Sequence, residues 1–170
     1  MTVDIRALRG DDDRRAFRSG DEALDLYFHR YAGQNQFRHH VGVTYVSVED
    51  DRIIAFATVA AASLDADDLP TGRRMPPYPL PVLRIARLAV GRDDQGRGLG
   101  RAMLRFSVEL AEKMRDELGC VGLLVDAKSG AVDFYRRFGF VEVEEEEGGP
   151  AIVPRPQMMF LPLGAVPPRR

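Results

Sequence analysis

The feature that most constrains this chain lies between residues 83 and 125. An apolar run, broken only by Arg84 and Arg87, leads straight into Gln95-Gly96-Arg97-Gly98-Leu99-Gly100, and a strongly amphipathic segment follows. At 100° per residue Met103, Leu104, Ser107, Leu110, Ala111, Met114 and Leu118 share one stripe, with Arg101, Arg105, Glu109, Glu112 and Asp116 opposite. Gly119 stops the helix, and residues 121–125 form a short apolar strand. This is a strand, helix, strand unit; its two strands are expected to be parallel, because only a crossover of this length can join parallel neighbours.

A glycine-rich turn between a buried strand and a helix can bind an anion. Its backbone amides converge at the positive end of the helix dipole, and Gly96, Gly98 and Gly100 remove the Cβ atoms that would hold a phosphate away. The spacing is wrong for two common nucleotide sites. A dinucleotide fold needs G-x-G-x-x-G and a later acidic residue, and a Walker loop needs Gly-Lys-Ser or Gly-Lys-Thr.

The remaining sequence supplies a sheet. Residues 3–8 alternate apolar and polar as a half-buried strand does, and residues 43–48 and 53–62 read as a hairpin joined by Glu49-Asp50-Asp51-Arg52. Between the first strand and the hairpin, Leu24, Tyr27, Phe28 and Tyr31 recur at helical spacing over residues 23–32, with Ser19, Gly20 and Asp21 as start signals and Gly33 as the end. Five prolines in residues 64–81 predict a surface loop. A second short helix, 131–138, ends at Gly139; residues 140–143 and 158–161 read as closing strands around an acidic solvated turn at 144–149, and the tail 164–170 is expected to be flexible.

With 170 residues, 45% of them hydrophobic, a single domain is expected over 1–170. No stretch approaches the roughly 18 consecutive apolar residues of a membrane span, and no signal peptide is evident, so a cytoplasmic protein without membrane contact is expected. A net charge of −2 argues against indiscriminate nucleic-acid coating. The one cysteine, Cys120, sits among apolar neighbours and reads as a small buried residue. His29, His39 and His40 lack ligand spacing, and no metal is expected.

The hexamer resembles the Q/R-x-x-G-x-G/A signature of the GNAT acetyltransferases, with Leu88-Ala89-Val90 similar to the strand before it. That resemblance implies an α/β (α+β) fold: one mostly antiparallel mixed sheet flanked by helices, whose two central parallel strands splay to admit coenzyme A. It implies acetyl-CoA as cosubstrate, with Leu88, Ala89 and Val90 along the pantetheine arm, the Val90 amide as oxyanion donor, and Gln95, Gly96, Arg97, Gly98, Leu99, Gly100 and Arg101 at the pyrophosphate.

Asp133-Phe134-Tyr135-Arg136-Arg137-Phe138-Gly139-Phe140 resembles the family's A-x-x-F-Y-x-x-x-G-F helix and its exit. Tyr135 is then the candidate catalytic acid, because a phenol is protonated at neutral pH and could protonate the departing thiolate; packing alone is the other reading. Phe134 would form part of the cofactor wall. The stretch 127–131 has no asparagine where many members place one, and Ser129 reads either as its substitute or as a helix N-cap.

Residues 83–90 carry no carboxylate to act as base. An α-amine is substantially neutral at pH 7 without help, whereas a lysine is not, so an α-amine acceptor is favoured. Phe17-Arg18-Ser19-Gly20 with Leu24 and the segment to Asn35-Gln36, Ala86-Arg87-Leu88-Ala89-Val90, and Met159-Phe160-Leu161-Pro162-Leu163 are similar to a narrower group, the GNAT-type toxins of toxin–antitoxin pairs. That likeness implies aminoacyl-tRNA as acceptor, a ribbon-helix-helix antitoxin as partner, and a homodimer. Arg30, Arg38, His39, His40, Arg84, Arg87, Arg92 and Arg136 are the candidate RNA contacts. Two other readings stay open on the residues alone: acetylation of a small-molecule or protein amine, with loop 64–81 shaping the pocket, and a non-catalytic coenzyme A sensor.

Overall fold

The computed structural model describes residues 3–70, 74–144 and 156–165. Along the chain come β1 (Asp4–Ala7), α1 (Glu22–Leu26), a π-helical turn (Tyr27–Tyr31), α2 (Ala32–Phe37), β2 (Val43–Glu49), β3 (Arg52–Leu64), β4 (Leu80–Val90), α3 (Leu99–Glu117), β5 (Gly122–Ala127), α4 (Val132–Phe138), β6 (Val141–Glu142) and β7 (Gln157–Pro162). The seven strands form one mixed sheet in the order β1-β2-β3-β4-β5-β7-β6. The pairs β1/β2, β2/β3, β5/β7 and β6/β7 are antiparallel, while β4 and β5 are neighbours joined through α3. The chain divides into two compact units, Met1–Ala60 with Ile85–Ser107 and Ala61–Arg84 with Val108–Arg170, so that β3, β4 and α3 each contribute to both.

In the first unit, one core cluster is built on three phenylalanines. Phe28 stacks on Phe56 with ring centroids 4.4 Å apart, and Phe17 meets both edge-on at 5.1 and 5.4 Å. A second cluster joins Ile54, Ala55 and Ala57 to Leu99 and Met103 at the start of α3. Ile53 and Phe56 of β3 join the first cluster and Ile54, Ala55 and Ala57 the second, as expected of a strand buried on both sides. The β2–β3 hairpin turns on Asp50 and Asp51, both at positive φ (50° and 62°), the conformation a two-residue type I′ loop demands.

The helix after β1 starts as expected, with the Asp21 carboxylate accepting from the Ala23 and Leu24 amides at 3.0 and 3.2 Å. It does not end at Gly33. A π-helical turn displaces the ladder by one residue, Arg14 donates to the Phe28 carbonyl at 3.0 Å, and the helix runs on through α2 to Phe37. Gly33 is needed for space: a Cβ there would lie 3.0–3.3 Å from the Arg14 guanidinium. The Gln36 amide then ties α2 down, donating to the Leu8 carbonyl at 3.0 Å and accepting from the Thr44 amide at 2.9 Å.

In the second unit β5 pairs with β7 over its whole length. Gly122 makes this close approach feasible, since a Cβ would sit 2.4 Å from both the Leu161 carbonyl oxygen and the Phe160 ring. Cys120 is 6% exposed and its thiol donates to the Gly122 carbonyl at 3.3 Å. Leu118, placed on the apolar stripe by periodicity, is instead 85% exposed. The helix ends at Glu117, and the Leu118 and Gly119 amides both return to the Met114 carbonyl, with Gly119 at φ +109° as the left-handed cap. Among the described residues of loop 64–81 a short 3₁₀ turn forms at Ala66–Asp68, and β4 already begins at Leu80. Residues 71–73 of that loop, 145–149 of the acidic turn and 166–170 of the tail lie outside the described residues.

Candidate functional site

The glycine turn belongs to the first unit. After β4 the Gly91 amide donates to the Ile54 carbonyl at 2.8 Å, a 3₁₀ turn spans Arg92–Asp94, and α3 begins at Leu99 with the Ala102 amide bonded to the Gly98 carbonyl at 3.0 Å. The amides of Leu99 and Gly100 have no acceptor within the helix, because first-turn donors lie beyond the start of its ladder. Gly96 and Gly98 take φ of +82° and +79°, and a Cβ at either would meet nothing within 4 Å. The turn thus combines left-handed glycines with open space in front of its backbone. That arrangement suits a phosphate better than a packed structural turn would.

Side chains hold this backbone in place. Arg97 reaches back to the hairpin, donating to Glu49 Oε2 at 2.5 Å and Oε1 at 3.2 Å, and to Asp94 Oδ1 at 3.0 Å. Arg52 grips the same Asp94 carboxylate from the other side at 3.0 and 3.1 Å. Two guanidinium groups and two carboxylates alternate in a short ladder, with both carboxylates buried. The hydrogen bonds donated by Arg97 hold the Glu49 carboxyl below its usual range, and the accepting Glu49 carboxylate pushes the Arg97 guanidinium further up. The Arg97 charge is therefore engaged by protein. Gln95 bridges in a different direction, donating to the Ser19 carbonyl at 3.1 Å, and the Arg92 amide bonds the Arg18 carbonyl at 2.7 Å. Along β4, Leu88 and Val90 face the Ile54 cluster while Ala89 packs with the Phe17 cluster.

Sequence reasoning missed Glu49 and Asp94. Glu49 read as part of a polar hairpin connection, and nothing local marks a partner 48 residues away.

The second unit holds α4. Tyr135 is 5% exposed, wedged edge-on between Phe134 at 5.2 Å and Phe140 at 5.4 Å. Burial pushes the phenol well above its ordinary value, so it keeps its proton throughout neutral and mildly alkaline pH. Such a group is available only as a protonated hydrogen-bond donor and cannot serve as a base. Gly139, at φ +123°, caps the helix, its amide returning to Tyr135 and Arg136 carbonyls. Ser129 does not cap α4: it opens a 3₁₀ turn at Ser129–Ala131, and the residue at the helix N-cap is Ala131, which makes no side-chain cap.

The eight candidate RNA contacts separate by environment. Arg84 is paired with Asp126 at 2.7 Å, and Arg136 is paired with Asp133 at 2.8 Å and with Glu142. Arg87 lies over the Tyr27 ring, 4.6 Å from its centroid. Arg92 lines a cavity of about 380 Å³ with Phe17, Arg18, Arg52 and Asp94. Arg30, Arg38, His39 and His40 are exposed. Among the described residues no group of three His, Cys, Asp or Glu side chains is placed to hold a metal ion, and no helix is long and apolar enough to cross a membrane.

Similarity to known proteins points the same way as the turn. A tRNA-acetylating toxin of Mycobacterium tuberculosis (strain ATCC 25618 / H37Rv) is 36% identical over 139 residues, spanning 79% of this chain and 82% of the relative. The structure of AtaT complexed with acetyl-methionyl-tRNAfMet superposes with a TM-score of 0.85 at 21% identity, over 96% of each chain. A tyrosine-to-phenylalanine variant of AtaT, bound to the C-terminus of the antitoxin AtaR and acetyl-CoA, superposes with a TM-score of 0.79 at 21% identity, over 97% of this chain and 96% of that one. The acetyltransferase (GNAT) domain family matches residues 40–142, a span that takes in the hairpin with Glu49, the glycine turn, α3 and Tyr135. With the glycine turn opening onto free space inside that span, this chain belongs to the GNAT acetyltransferase family.

Proposed function

We propose that this protein transfers the acetyl group of acetyl-CoA to the α-amine of an aminoacyl-tRNA and so blocks translation as a toxin does. The observation that carries the reading is the pair of left-handed glycines opening onto free space at the start of α3, in a chain 36% identical to a tRNA-acetylating toxin.

In this proposal the amides of residues 95–101 hold the pyrophosphate, and the backbone of Leu88, Ala89 and Val90 aligns the pantetheine arm. The Val90 amide faces the developing oxyanion. Acetyl-CoA supplies an activated thioester and the acceptor its neutral amine; the protein supplies orientation. Tyr135 holds its proton tightly, so it stabilises the departing sulfur by donation, while Phe134 walls the thioester from water. No carboxylate lies on β4 between residues 80 and 90, which supports an acceptor that is already neutral near pH 7. The reading extends to one acetyltransferase domain over 1–170, a cytoplasmic homodimer, and inhibition by a ribbon-helix-helix antitoxin.

The test is to incubate the purified protein with labelled acetyl-CoA and a panel of aminoacyl-tRNAs, release the amino acid with mild base, and identify it by mass spectrometry. An N-acetyl amino acid is the expected product. Label that moves only to free polyamines or to protein would overturn the tRNA acceptor.

A further inference from the structure

Among the described residues three carboxylates are buried: Asp25, Glu49 and Asp94. Arginines hold Glu49 and Asp94, whereas Asp25 enters no ion pair. Its Oδ1 accepts instead from the Ser19 amide at 2.9 Å and from the Ser19 hydroxyl at 2.7 Å. A carboxylate removed from water needs such donors, and the first turn of α1 adds the positive end of the helix dipole. The bonds to Ser19 are not required to start the helix. Asp21 already caps it, and Gly20, at φ +98°, turns the chain so that Ser19 faces back toward Asp25.

The carbonyl of Ser19 bonds in another direction. It accepts from the Gln95 side-chain amide at 3.1 Å, and the same nitrogen lies 3.5 Å from the Val90 carbonyl. The neighbouring Arg18 carbonyl accepts from the Arg92 amide at 2.7 Å, while the Gly91 amide donates to the Ile54 carbonyl at 2.8 Å. The backbone leaving β4 is therefore held both by β3 and by residues 18–19, and Ser19 is held by Asp25. Gln95 has two tasks: its backbone belongs to the glycine turn, and its side chain joins Ser19 to the end of β4.

We infer that Asp25 is a positioning residue for acetyl transfer: through Ser19 and Gln95 it fixes the end of β4 where the Val90 amide meets the acyl oxygen. The inference rests on the oxyanion role proposed for that amide, not on which amine accepts the acetyl group. Two clamps then serve one coenzyme. Glu49 and Arg97 steady the turn at the pyrophosphate, and Asp25 and Ser19 steady the strand end at the acyl carbon. They should govern different kinetic constants, because an oxyanion donor acts in the transition state and its misalignment slows the reaction without weakening coenzyme binding.

The test compares wild type with Asp25→Ala, Asp25→Asn, Gln95→Leu and the double variant of Asp25→Ala with Gln95→Leu. Each is assayed in single-turnover acetylation of aminoacyl-tRNA and in acceptor-free hydrolysis, where water replaces the amine and releases acetate and the coenzyme A thiol. Asp25→Ala and Gln95→Leu should each slow both reactions by about tenfold, with acetyl-CoA affinity by calorimetry unchanged. The double variant should be little slower than either single one, because both break the same link. Asp25→Asn keeps an oxygen for both Ser19 donors and should recover most of the rate; an asparagine variant as slow as the alanine one would overturn a positioning role. Gln95 is exposed, so Gln95→Leu cuts the link from its far end without emptying a buried position, and it stands in for Asp25→Ala should that variant not fold. Hydrogen exchange of the Arg92 amide, read on the free protein, should quicken in Asp25→Ala and Gln95→Leu and stay slow in Asp25→Asn. Wild-type exchange and wild-type rates in Gln95→Leu, or fully additive losses in the double variant, would overturn the proposal. If no aminoacyl-tRNA is acetylated while hydrolysis and exchange respond as expected, the acceptor reading fails alone; if every variant acetylates tRNA at the wild-type rate, the clamp fails alone.

Discussion

The glycine turn of the first unit and the α4 tyrosine of the second are built on opposite principles. Around the turn, polar groups do the fixing: two arginines and two carboxylates lock the backbone to the β2–β3 hairpin, and what is presented outward is bare amide and open space. Around Tyr135 desolvation governs, and two aromatic rings strip water from the phenol. The first region owes its chemistry to conformation, the second to desolvation. Changes that leave shape intact should therefore injure the second most, and changes that leave polarity intact should injure the first.

The largest effect expected from that contrast is on turnover. Tyr135→Phe keeps the aromatic packing and removes the hydroxyl, so kcat should fall by roughly 10²- to 10⁴-fold with the KM for acetyl-CoA and the melting temperature unchanged. Because the wild-type phenol is held above its ordinary value, the kcat profile should show no loss from its ionisation as pH passes 10. Steady-state kinetics decide the matter; a variant with near wild-type kcat would reduce Tyr135 to a packing residue.

Next in size is the turn itself. Gly98→Glu forces a side chain into a left-handed backbone and places a carboxylate beside the phosphates, and acetyl-CoA should bind roughly a hundredfold more weakly by calorimetry. Gly98→Ala isolates the backbone part and should lose less. Equal binding by all three proteins would remove the pyrophosphate from this turn.

The smallest effect separates holding from touching. Glu49→Gln loosens Arg97 without altering the turn's sequence, so the KM for acetyl-CoA should rise by about five- to tenfold while kcat stays near wild type, and Glu49→Asp should recover part of the loss. The native carboxyl ionises below its ordinary value of 4.5, so its stabilisation is present above that pH and disappears as pH falls through the native value. Urea melts across the acid range should show this limb in wild type and not in Glu49→Gln. Its persistence in the variant would assign the limb to other carboxylates.

These contrasts also explain what could be read from the sequence alone. Strand and helix periodicity, the hairpin and the glycine turn were legible because each is a local pattern: alternation, a 100° stripe, a short polar connection, glycines between a strand and a helix. The ladder around Arg97 was not, since Glu49 and Arg52 become its neighbours only when β2 and β3 fold back. Gly33 misled for a related reason. Read locally, glycine stops a helix; in the fold it makes room for Arg14, which closes the gap opened by the π-helical turn. Leu118 shows the converse, a stripe extrapolated one residue past Glu117, where the helix ends before Gly119 turns the chain. Tyr135 could be found by its motif, but its depth among Phe134 and Phe140 needed the strands that follow α4.

The solitary thiol has a practical corollary. Cys120 is the chain's one cysteine, it is buried, and burial lowers its tendency to ionise. Maleimide reagents should ignore it in the native state, so a surface cysteine introduced elsewhere can carry a dye or spin label without first removing the natural one. The folded protein is in effect already prepared for single-site spectroscopy.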